Sequence, residues 1–371
     1  MSQVFLATGD LAMDRADYDE SFAATRDVLR AADITFAQLE TSFAESGVRL
    51  PQARHAVLAR PDGAAAVARA GFDVISMAGN HCLDWGPDAL LETHANLRGA
   101  GVQVVGAGAN IAEAREPARF ALPDGTTVAV LAYSSILPQS YWADERHAGC
   151  APMRAHTLYE QVEIDQPGTP ARIITHAHRE DLAAMQDDIR RAKANADVVI
   201  VSQHWGIHFV RAVIADYERE VARAAVAAGA DAIIGGHSHV LKGVDIIGGK
   251  PVFHCLCNFA VDLRMDEAHA KSKSWNEIRV LAEEWEPDFD GLYNFPTASR
   301  FAIVARLVIG NGKIERSGFL PLTIGRDAVP RFAEPGSDEH AAVLEYLTAV
   351  TTEAGLSARF RVADDMVELV Q

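Results

Sequence analysis

Residues 232–239 read Ala232-Ile233-Ile234-Gly235-Gly236-His237-Ser238-His239. An apolar, β-branched run of this kind predicts a short buried strand, and the two glycines after it allow the chain a tight exit. The two histidines then lie where the strand ends. In open α/β sheets the loops that leave the carboxyl ends of the strands converge, and ligands bind there. The stretch therefore predicts a layered α/β fold with polar side chains gathered at one sheet edge.

Four more polar motifs follow apolar runs in the same way: Gly9-Asp10 after Val4–Ala7, Gln38-Leu39-Glu40 after Ile34–Ala37, Gly79-Asn80-His81 after Asp73–Ala78, and His204-Trp205-Gly206 after Val198–Ser202. Each motif alone is most often a turn or a loop that makes local hydrogen bonds. Their recurrence at five strand ends favours a set of metal ligands. The predicted ligands are Asp10, Glu40, Asn80, His204, His237 and His239.

The ligand types suit a site for one or two divalent ions of Mn, Fe or Zn. Two-metal hydrolytic sites hold their ions ~3.5–4 Å apart and need a bridging carboxylate, further oxygen ligands and neutral imidazoles. Glu40 is the natural bridge because it ends a strand in the interior of the early βαβ run. Asp10 would bind one ion and the amide oxygen of Asn80 the other, with the histidines completing both sets.

Composition limits the classes of partner. The chain has 371 residues and a formal charge of −17, which disfavours nucleic-acid backbones and anionic membranes as partners. The first residues lead directly into a strand pattern without a signal-like segment, and no apolar run reaches the ~18 residues of a membrane span. Four cysteines fit a reducing compartment. We therefore expect a soluble, cytoplasmic protein, and the sequence gives no signal for its oligomeric state.

Alternating strand and helix patterns predict one domain over residues 1–330, interrupted by irregular inserts at 136–175 and 262–299. Asn-Gly between two apolar runs predicts a hairpin at 301–320. Residues 331–371 are expected to add a helix and a strand packed on the domain. The other predicted helices are Asp19–Ala31, Asp62–Ala70, Pro87–Gly99, Arg179–Ala194 and Asp216–Ala228.

The motifs in order read Gly-Asp, Leu-Glu-Thr, Asn-His-x-x-Asp-x-Gly, His-Trp-Gly, Gly-His-x-His-Val and Asn-Phe. Over roughly residues 3–262 this order resembles the poly-γ-glutamate capsule biosynthesis (CapA-like) family, which is related to the calcineurin-like metallophosphoesterases. The resemblance implies a calcineurin-like four-layer sandwich, with two β-sheets flanked by helices, and a dinuclear site holding the same six ligands. It also implies that His81 protonates the leaving group and that Asp84 orients His81.

Two departures from the pattern matter. Metallophosphoesterases usually carry Asp-x-His in the first motif, whereas this chain has Asp10-Leu11-Ala12. The site is then either mononuclear or completed by another residue, such as Asp14. Members that act in capsule assembly are typically membrane-anchored or exported, and this chain shows neither feature. A smaller difference is Cys257, at a position where the family more often has glycine.

Three residues near the motifs are expected to contact substrate: Trp205, His208 and Cys82. The alternatives are a core aromatic for Trp205 and a surface histidine for His208. Arg146, Arg154 and Arg179 are further candidates for holding an anion, and the sequence does not single out one of them.

We expect a soluble metal-dependent hydrolase that uses a metal-activated water on a small anionic substrate held under the two inserts. The bond is a phosphoester by analogy with the superfamily, or an amide or ester by analogy with γ-glutamyl chemistry. The alternative is a non-catalytic, metal-containing accessory protein of poly-γ-glutamate or capsule synthesis, which the missing histidine favours.

Overall fold

A computed structural model describes residues 3–166, 168–282 and 284–371. Positions 167 and 283, one in each predicted insert, lie outside the described residues. The described strands, β1 to β22 in chain order, are Gln3–Ala12, Ile34–Leu39, Ser42–Phe43, Leu58–Ala59, Val74–Ser76, Gln103–Val105, Ala107–Gly108, Ala118–Ala121, Thr127–Ser134, Gly149–Cys150, Ala155–Glu160, Arg172–Ala177, Val198–His204, Ala232–Gly236, Val244–Ile247, Lys250–Phe253, Asn258–Val261, Phe301–Gly310, Lys313–Ile324, Pro330–Phe332, Arg359–Val362 and Val367–Val370.

The described helices, α1 to α9 in chain order, are Arg26–Arg30, Asp62–Ala70, Gly86–Gly99, Ile111–Ala114, Arg179–Lys193, Asp216–Ala228, Glu267–Ala270, Lys273–Ile278 and Asp338–Glu353. Short 3₁₀ turns cover Tyr18–Phe22, Arg279–Leu281 and Thr297–Arg300. The longer helices begin and end close to the residues that the sequence predicts.

Two large sheets form the centre of the molecule. The first has the order β21-β22-β19-β18-β1-β2-β5-β6, and β17 and β20 pair with β1 and β19. The second has the order β15-β16-β14-β13-β9-β8. Strands β1, β2, β5 and β6 run parallel, as do β9, β13, β14 and β16, so their carboxyl ends lie along one edge of each sheet. The predicted fold class, α/β with two sheets flanked by helices, is confirmed.

Strand β13 shows how the two sheets and the helices share the core. Successive side chains of a strand point to opposite faces. Val198 and Ile200 join the apolar cluster that contains Phe5 of the first sheet. Val199 and Val201 join a second cluster with residues of α5 and α6. A strand covered on both faces needs a continuous apolar run, which is the pattern of Val198–Val201.

The tail of the chain adds to the first sheet. Strand β22 pairs antiparallel with β19 and with β21, and β20 pairs with the end of β19. Helix α9 packs against β18 and β19. The hairpin predicted at Asn311-Gly312 is present as β18–β19.

Two local predictions are wrong. The helix expected at Asp19–Ala31 is a 3₁₀ turn, Tyr18–Phe22, followed by the short α1. The backbone N–H and hydroxyl of Thr25 both bond the carbonyl of Phe22, which closes a turn between the two. The insert at 136–175 is also more regular than expected, since β11 and β12 form an antiparallel hairpin against α6. Most β11 residues are exposed, so the hairpin lacks the apolar alternation that marks a half-buried strand.

Candidate metal centre

Two carboxylates lie side by side at the edge of the first sheet. Asp10 is near the end of β1, in register with Gln38 of β2 and with Asn258 of β17. Glu40 directly follows β2, and its backbone N–H donates to the carbonyl of Leu11 at 2.8 Å. Both side chains are buried. Parallel pairing of β1 with β2 therefore places the first and second motifs next to each other.

The second sheet supplies the imidazoles. His204 is the last residue of β13, and His237 directly follows β14, the parallel neighbour of β13. The His204 ring lies 2.7 Å from the Asn80 amide oxygen through Nε2, which is also 3.3 Å from Glu40 Oε1. Asn80 comes from the loop after β5 of the first sheet. The site is thus assembled where the edges of the two sheets meet.

His237 and His239 are held in an irregular backbone. Their φ angles are +90° and +50°, in the left-handed region that is uncommon for residues other than glycine. The backbone N–H of His237 donates to Asp10 Oδ2 at 3.3 Å, which explains part of this conformation. Backbone strain at buried histidines is characteristic of functional sites.

Glycine is required at two positions where the backbone comes close to other atoms of the site. A Cβ on Gly236 would lie 2.9 Å from Asp10 Oδ1, and a Cβ on Gly9 would lie 1.8 Å from the carbonyl oxygen of Cys257. Cys257 itself has φ +72°, a conformation that favours glycine. The glycine that the family resemblance leads us to expect at this position would fit that backbone, whereas cysteine takes it here with strain.

A chain of hydrogen bonds orients His239. Its Nδ1 lies 2.6 Å from Asn258 Oδ1, and Asn258 Nδ2 donates to Tyr293 Oη at 2.7 Å. Tyr293 in turn donates to the carbonyl of Ser299 at 2.6 Å. Because the amide nitrogen of Asn258 is used on the tyrosine, its oxygen faces His239, whose Nδ1 must carry the proton. The lone pair is then on Nε2, which lies 3.8 Å from Glu40 Oε2.

The donor set fits metal ions. In the described residues two groups have ligand atoms within 4.8 Å of one another, Glu40–His204–His237 and Asp10–Glu40–His239, and Glu40 belongs to both. Four buried atoms of these groups have no hydrogen-bond partner: Asp10 Oδ1, Glu40 Oε1, His204 Nδ1 and His237 Nδ1. Buried polar atoms without partners are costly, and a bound cation would satisfy them.

The pKa shifts in the cluster reflect burial together with the charges of neighbouring groups. Burial, and then the charge of Glu40, raises the pKa of Asp10 well above its ordinary value. Burial raises the pKa of Glu40 as well, but His239 and His204 outweigh it and the net shift is downward. Burial and the neighbouring His208 lower the pKa of His237. Neutral imidazoles beside carboxylates are the protonation state in which these residues bind a divalent ion.

His81 is placed beside the ligands and held by a carboxylate. Its Nδ1 lies 2.6 Å from Asp84 Oδ2, and Asp84 Oδ1 accepts a hydrogen bond from the hydroxyl of Tyr141 at 2.8 Å. The His81 side chain is 19% exposed, so it reaches the cavity described below. Tyr141 is a part of this arrangement that sequence reasoning missed. It stands in the first insert, where only its residue type marked it.

Among the described residues, no further histidine, cysteine or carboxylate joins Asp10, Glu40 and His239 in place of the first-motif histidine. Ala12 occupies its position and lines the cavity. Asp14, the suggested substitute, is exposed, its backbone N–H bonds Asp262, and it belongs to neither ligand group. The group that contains Asp10 therefore has one donor fewer than the pattern calls for.

A cavity of about 650 Å³ opens onto the ligands. Glu40, Asn80, His81, Asp84, His208 and His239 line its inner end. The second insert lines much of the rest, from Asp262 to Phe295, and the described residues of the first insert contribute 136–138. Four residues of the stretch 52–57 also line the cavity, Gln52, Arg54, His55 and Val57, and nothing in the sequence pattern of that stretch marked it.

The three predicted substrate contacts are placed differently. His208 lines the cavity, stacks on His237 at 3.9 Å between ring centres, and leaves its Nε2 without a partner. Trp205 is fully buried against His254, to whose carbonyl its Nε1 donates at 2.8 Å. Cys82 is buried with its Sγ 3.5 Å from that of Cys150. The structure thus places Trp205 and Cys82 in the core, outside the cavity lining.

The candidate arginines also lie apart from the cavity lining. Arg154 is paired with Asp181 at 2.7 Å, so its charge is neutralised at the start of α5. Arg146 and Arg179 are likewise not among the described residues that line the cavity. The guanidinium that does line it is Arg54.

Residues 4–263 match the family described as "Bacterial capsule synthesis protein PGA_cap". The chain belongs to this capsule synthesis family. The match covers all six ligand candidates together with His81 and Asp84. The family expected from the order of the motifs is therefore confirmed.

Curated relatives carry related names. The chain is 26% identical over 191 residues to "PGA biosynthesis protein CapA" of Bacillus subtilis, covering 52% of this chain and 43% of the relative. It is 30% identical over 258 residues to "Probable polyglutamine synthesis accessory protein" of Mycobacterium tuberculosis, covering 68% and 61%. The chain spans about half to two thirds of the length of such relatives.

Solved structures are similar at low identity. One is a hypothetical protein from Thermus thermophilus, at TM-score 0.46 and 15% identity, covering 89% of this chain and 99% of that one. Another is the calcineurin-like phosphoesterase YfkN from Bacillus subtilis, at TM-score 0.40 and 13% identity, covering 95% and 97%. Separately, the described part of this chain contains no helix of the length and apolar character that a bilayer crossing needs.

Proposed function

We propose that this member of the capsule synthesis family is a metal-dependent hydrolase that acts on a small anionic substrate. The observation that carries the proposal is the convergence of partnerless buried nitrogen and oxygen atoms beside a cavity. Glu40 would contribute to both ligand groups, Asp10 and His239 to one, and His204 and His237 to the other, with Asn80 beside His204. Divalent ions held there would lower the pKa of a bound water and polarise the scissile group.

The protein's own residues divide the remaining work. His81 would donate a proton to the leaving atom from the cavity wall, since it is not a member of either ligand group. Asp84 would hold the imidazole through Nδ1, which leaves Nε2 to face the substrate. Tyr141 would fix Asp84 in turn. A hydrogen-bonded carboxylate behind a histidine is the usual way to set its ring orientation and tautomer.

The test combines metal content with turnover. Protein purified without chelator is analysed for Mn, Fe, Co and Zn. It is then assayed on three matched series of chromogenic substrates: phosphate esters, carboxylate esters and anilides. We expect at least one tightly bound ion, hydrolysis in one of the three series, loss of activity after chelation and recovery on reloading. Absence of metal, or full activity after complete removal of metal, contradicts the proposal. The reactive series also identifies the bond.

A second function is an accessory role in polymer synthesis without catalysis. Its support is Ala12 in place of the first-motif histidine, together with the name of the relative from Mycobacterium tuberculosis, a probable polyglutamine synthesis accessory protein. The two functions differ in one measurement, because an accessory protein would bind metal and show no turnover in any series. The His81–Asp84–Tyr141 arrangement favours the enzyme, since metal binding alone does not need it.

A further inference from the structure

The cavity has two ends of unlike chemistry. The inner end carries the ligand candidates and His81. The outer end is walled by the second insert, where eight apolar side chains face the space: Leu263, Met265, Trp275, Ile278, Leu281, Trp285 and Phe295 with Phe209 from the loop after β13. A substrate long enough to fill the cavity would touch both ends.

The aromatic wall is an ordered cluster of its own. Trp275 and Trp285 meet edge to face with ring centres 4.9 Å apart, and Phe209 lies 4.8 Å from Trp285. These residues form a third apolar cluster, separate from the two that hold the sheets. Phe295 connects this wall to the inner end of the cavity, which we call the metal end, because its ring centre is 5.2 Å from that of His239.

Polar contacts across the cavity mouth hold the wall in place. Ser274 of α8 lies 3.1 Å from His55 Nε2, and the rings of His55 and His269 stack at 4.7 Å. Arg54 and Glu277 form an ion pair at 3.0 Å. The wall is therefore preformed against residues 52–57, so binding need not pay the entropy of ordering the whole insert.

The charges at the outer end are already paired or negative. Arg54 is neutralised by Glu277, and Asp262 is bonded to the buried Arg15. No other arginine or lysine lines the cavity among the described residues. A carboxylate or phosphate placed against the buried rings of Trp275 and Trp285 would find no unpaired cation and would lose its hydration.

We infer that the substrate has one anionic reacting group, bound at the inner end, on an uncharged apolar body such as an aryl or branched alkyl group. The inference rests on the proposed function and names its substrate class. It excludes substrates with a second anionic group beyond the scissile bond, poly-γ-glutamate among them. Apolar pockets with a few polar groups at one end commonly fix a small molecule in a single orientation.

Binding of phosphonates tests the inference without relying on turnover. Their carbon–phosphorus bond resists hydrolysis, and calorimetry with manganese-loaded protein gives the affinity of each. We expect 2-phenylethylphosphonate to bind at least about tenfold more tightly than methylphosphonate, because burial of the ring contributes about 25 cal/mol per Å². We expect 2-carboxyethylphosphonate to bind no more tightly than methylphosphonate. Equal affinities, no binding of any of the three, or tightest binding of the carboxylate would overturn the inference.

Two variants locate the preference. Leu281→Ser changes a wall residue that is 45% exposed, and the double variant with Ile278→Ser removes more of the wall. Both should reduce the preference for the phenyl compound, the double variant by about fivefold, while methylphosphonate binds as before. The matched control is Val280→Ser, which is 71% exposed and outside the lining. An unchanged preference in Leu281→Ser and the double variant would overturn the inference.

Turnover separates this inference from the proposed function. A protein that prefers the phenyl compound yet hydrolyses nothing supports the substrate pocket and contradicts the hydrolase. A protein that hydrolyses small esters or amides without preferring an apolar body supports the hydrolase and overturns the inference.

Discussion

The two ends of the cavity differ in how the chain builds them. The metal end takes its residues from short motifs that follow buried parallel strands, so pairing within the two sheets fixes their positions. The outer end is lined by side chains from three segments, 52–57, 136–138 and 262–295, whose backbone is mostly irregular. A rigid sheet edge suits chemistry that requires fixed distances between residues. Loops can vary in sequence, and so alter which substrate is bound, without moving the residues at the sheet edge. Under the proposed function, reactivity and selectivity would therefore be supplied by separable parts of the chain.

The strongest test of the metal end is Glu40→Gln. Glu40 belongs to both ligand groups, so loss of its charge should weaken both and reduce turnover by about 10³-fold, about 4 kcal/mol at the transition state. Metal analysis and steady-state kinetics measure the two effects together. Glu339→Gln, which changes an exposed carboxylate on α9, is the control. Normal metal content in the Glu40→Gln variant would show that Glu40 is not the shared ligand.

His81→Asn should separate proton donation from metal binding. Turnover should fall by about 10²-fold, the range of general acid catalysis, with metal content unchanged. Tyr141→Phe is the companion variant, since it removes only the hydrogen bond to Asp84 and should cost less activity. Loss of metal from His81→Asn would identify His81 as a ligand instead.

Ala12→His should strengthen the poorer ligand group. Ala12 lines the cavity beside Asp10, and an imidazole there would add the donor that the first motif lacks. We expect about tenfold tighter binding of manganese, measured by titration of chelator-treated protein, since each added ligand of correct geometry raises affinity. Ala12→Leu supplies similar bulk without nitrogen and should not tighten binding. Equal affinities for the two variants would mean that the ion does not approach this position.

The smallest expected effect concerns the outer end and pH. Burial, followed by the charge of His269, lowers the pKa of His55 to about 4. The unfolded chain then binds more protons than the folded one as pH falls from about 6.5 towards 4, so stability is full above 6.5 and is lost over that interval.

The lowered pKa of His55 implies that His55→Gln should reduce the loss of unfolding free energy at acid pH by about 1–2 kcal/mol. Urea unfolding at about pH 7.5 and about pH 4.5 measures the difference between variant and wild type. His176→Gln, which changes an exposed histidine of β12, is the control and should leave the acid loss unchanged. An identical acid loss in His55→Gln would show that the mouth of the cavity is not the acid-sensitive part.

The sequence predicts much of the metal end and little of the outer end, for a physical reason. Val198–His204 and Ala232–Gly236 are apolar runs whose strand character and exit point follow from composition alone. Which loop packs over the site depends on long-range contacts, such as Ser274 with His55, that no local pattern contains. The role of Tyr141 could not be predicted either, because it depends on a hydrogen bond to Asp84, which is 57 residues away in the sequence.

The local misjudgements have the same origin. The β11–β12 hairpin is largely exposed, so its sequence lacks an apolar face although its backbone pairing is regular. The segment before α1 carries helix-forming alanines, yet Thr25 closes a turn there through the carbonyl of Phe22. Propensity summed over a window does not register one such hydrogen bond.

The hydrogen-bond chain from His239 through Asn258 to Tyr293 sets a limit on exchanging loops between relatives. Tyr293 stands near the end of the second insert, yet its hydroxyl helps to fix the proton on His239. A graft that replaces residues 263–292 and keeps Tyr293 would alter the wall and preserve the histidine tautomer. A graft that extends three residues further would replace Tyr293 and so change the wall and the tautomer of His239 together. If such a chimera failed to bind metal, the failure would be mistaken for an effect of the new wall. Chimeras of this family should therefore be cut before Tyr293.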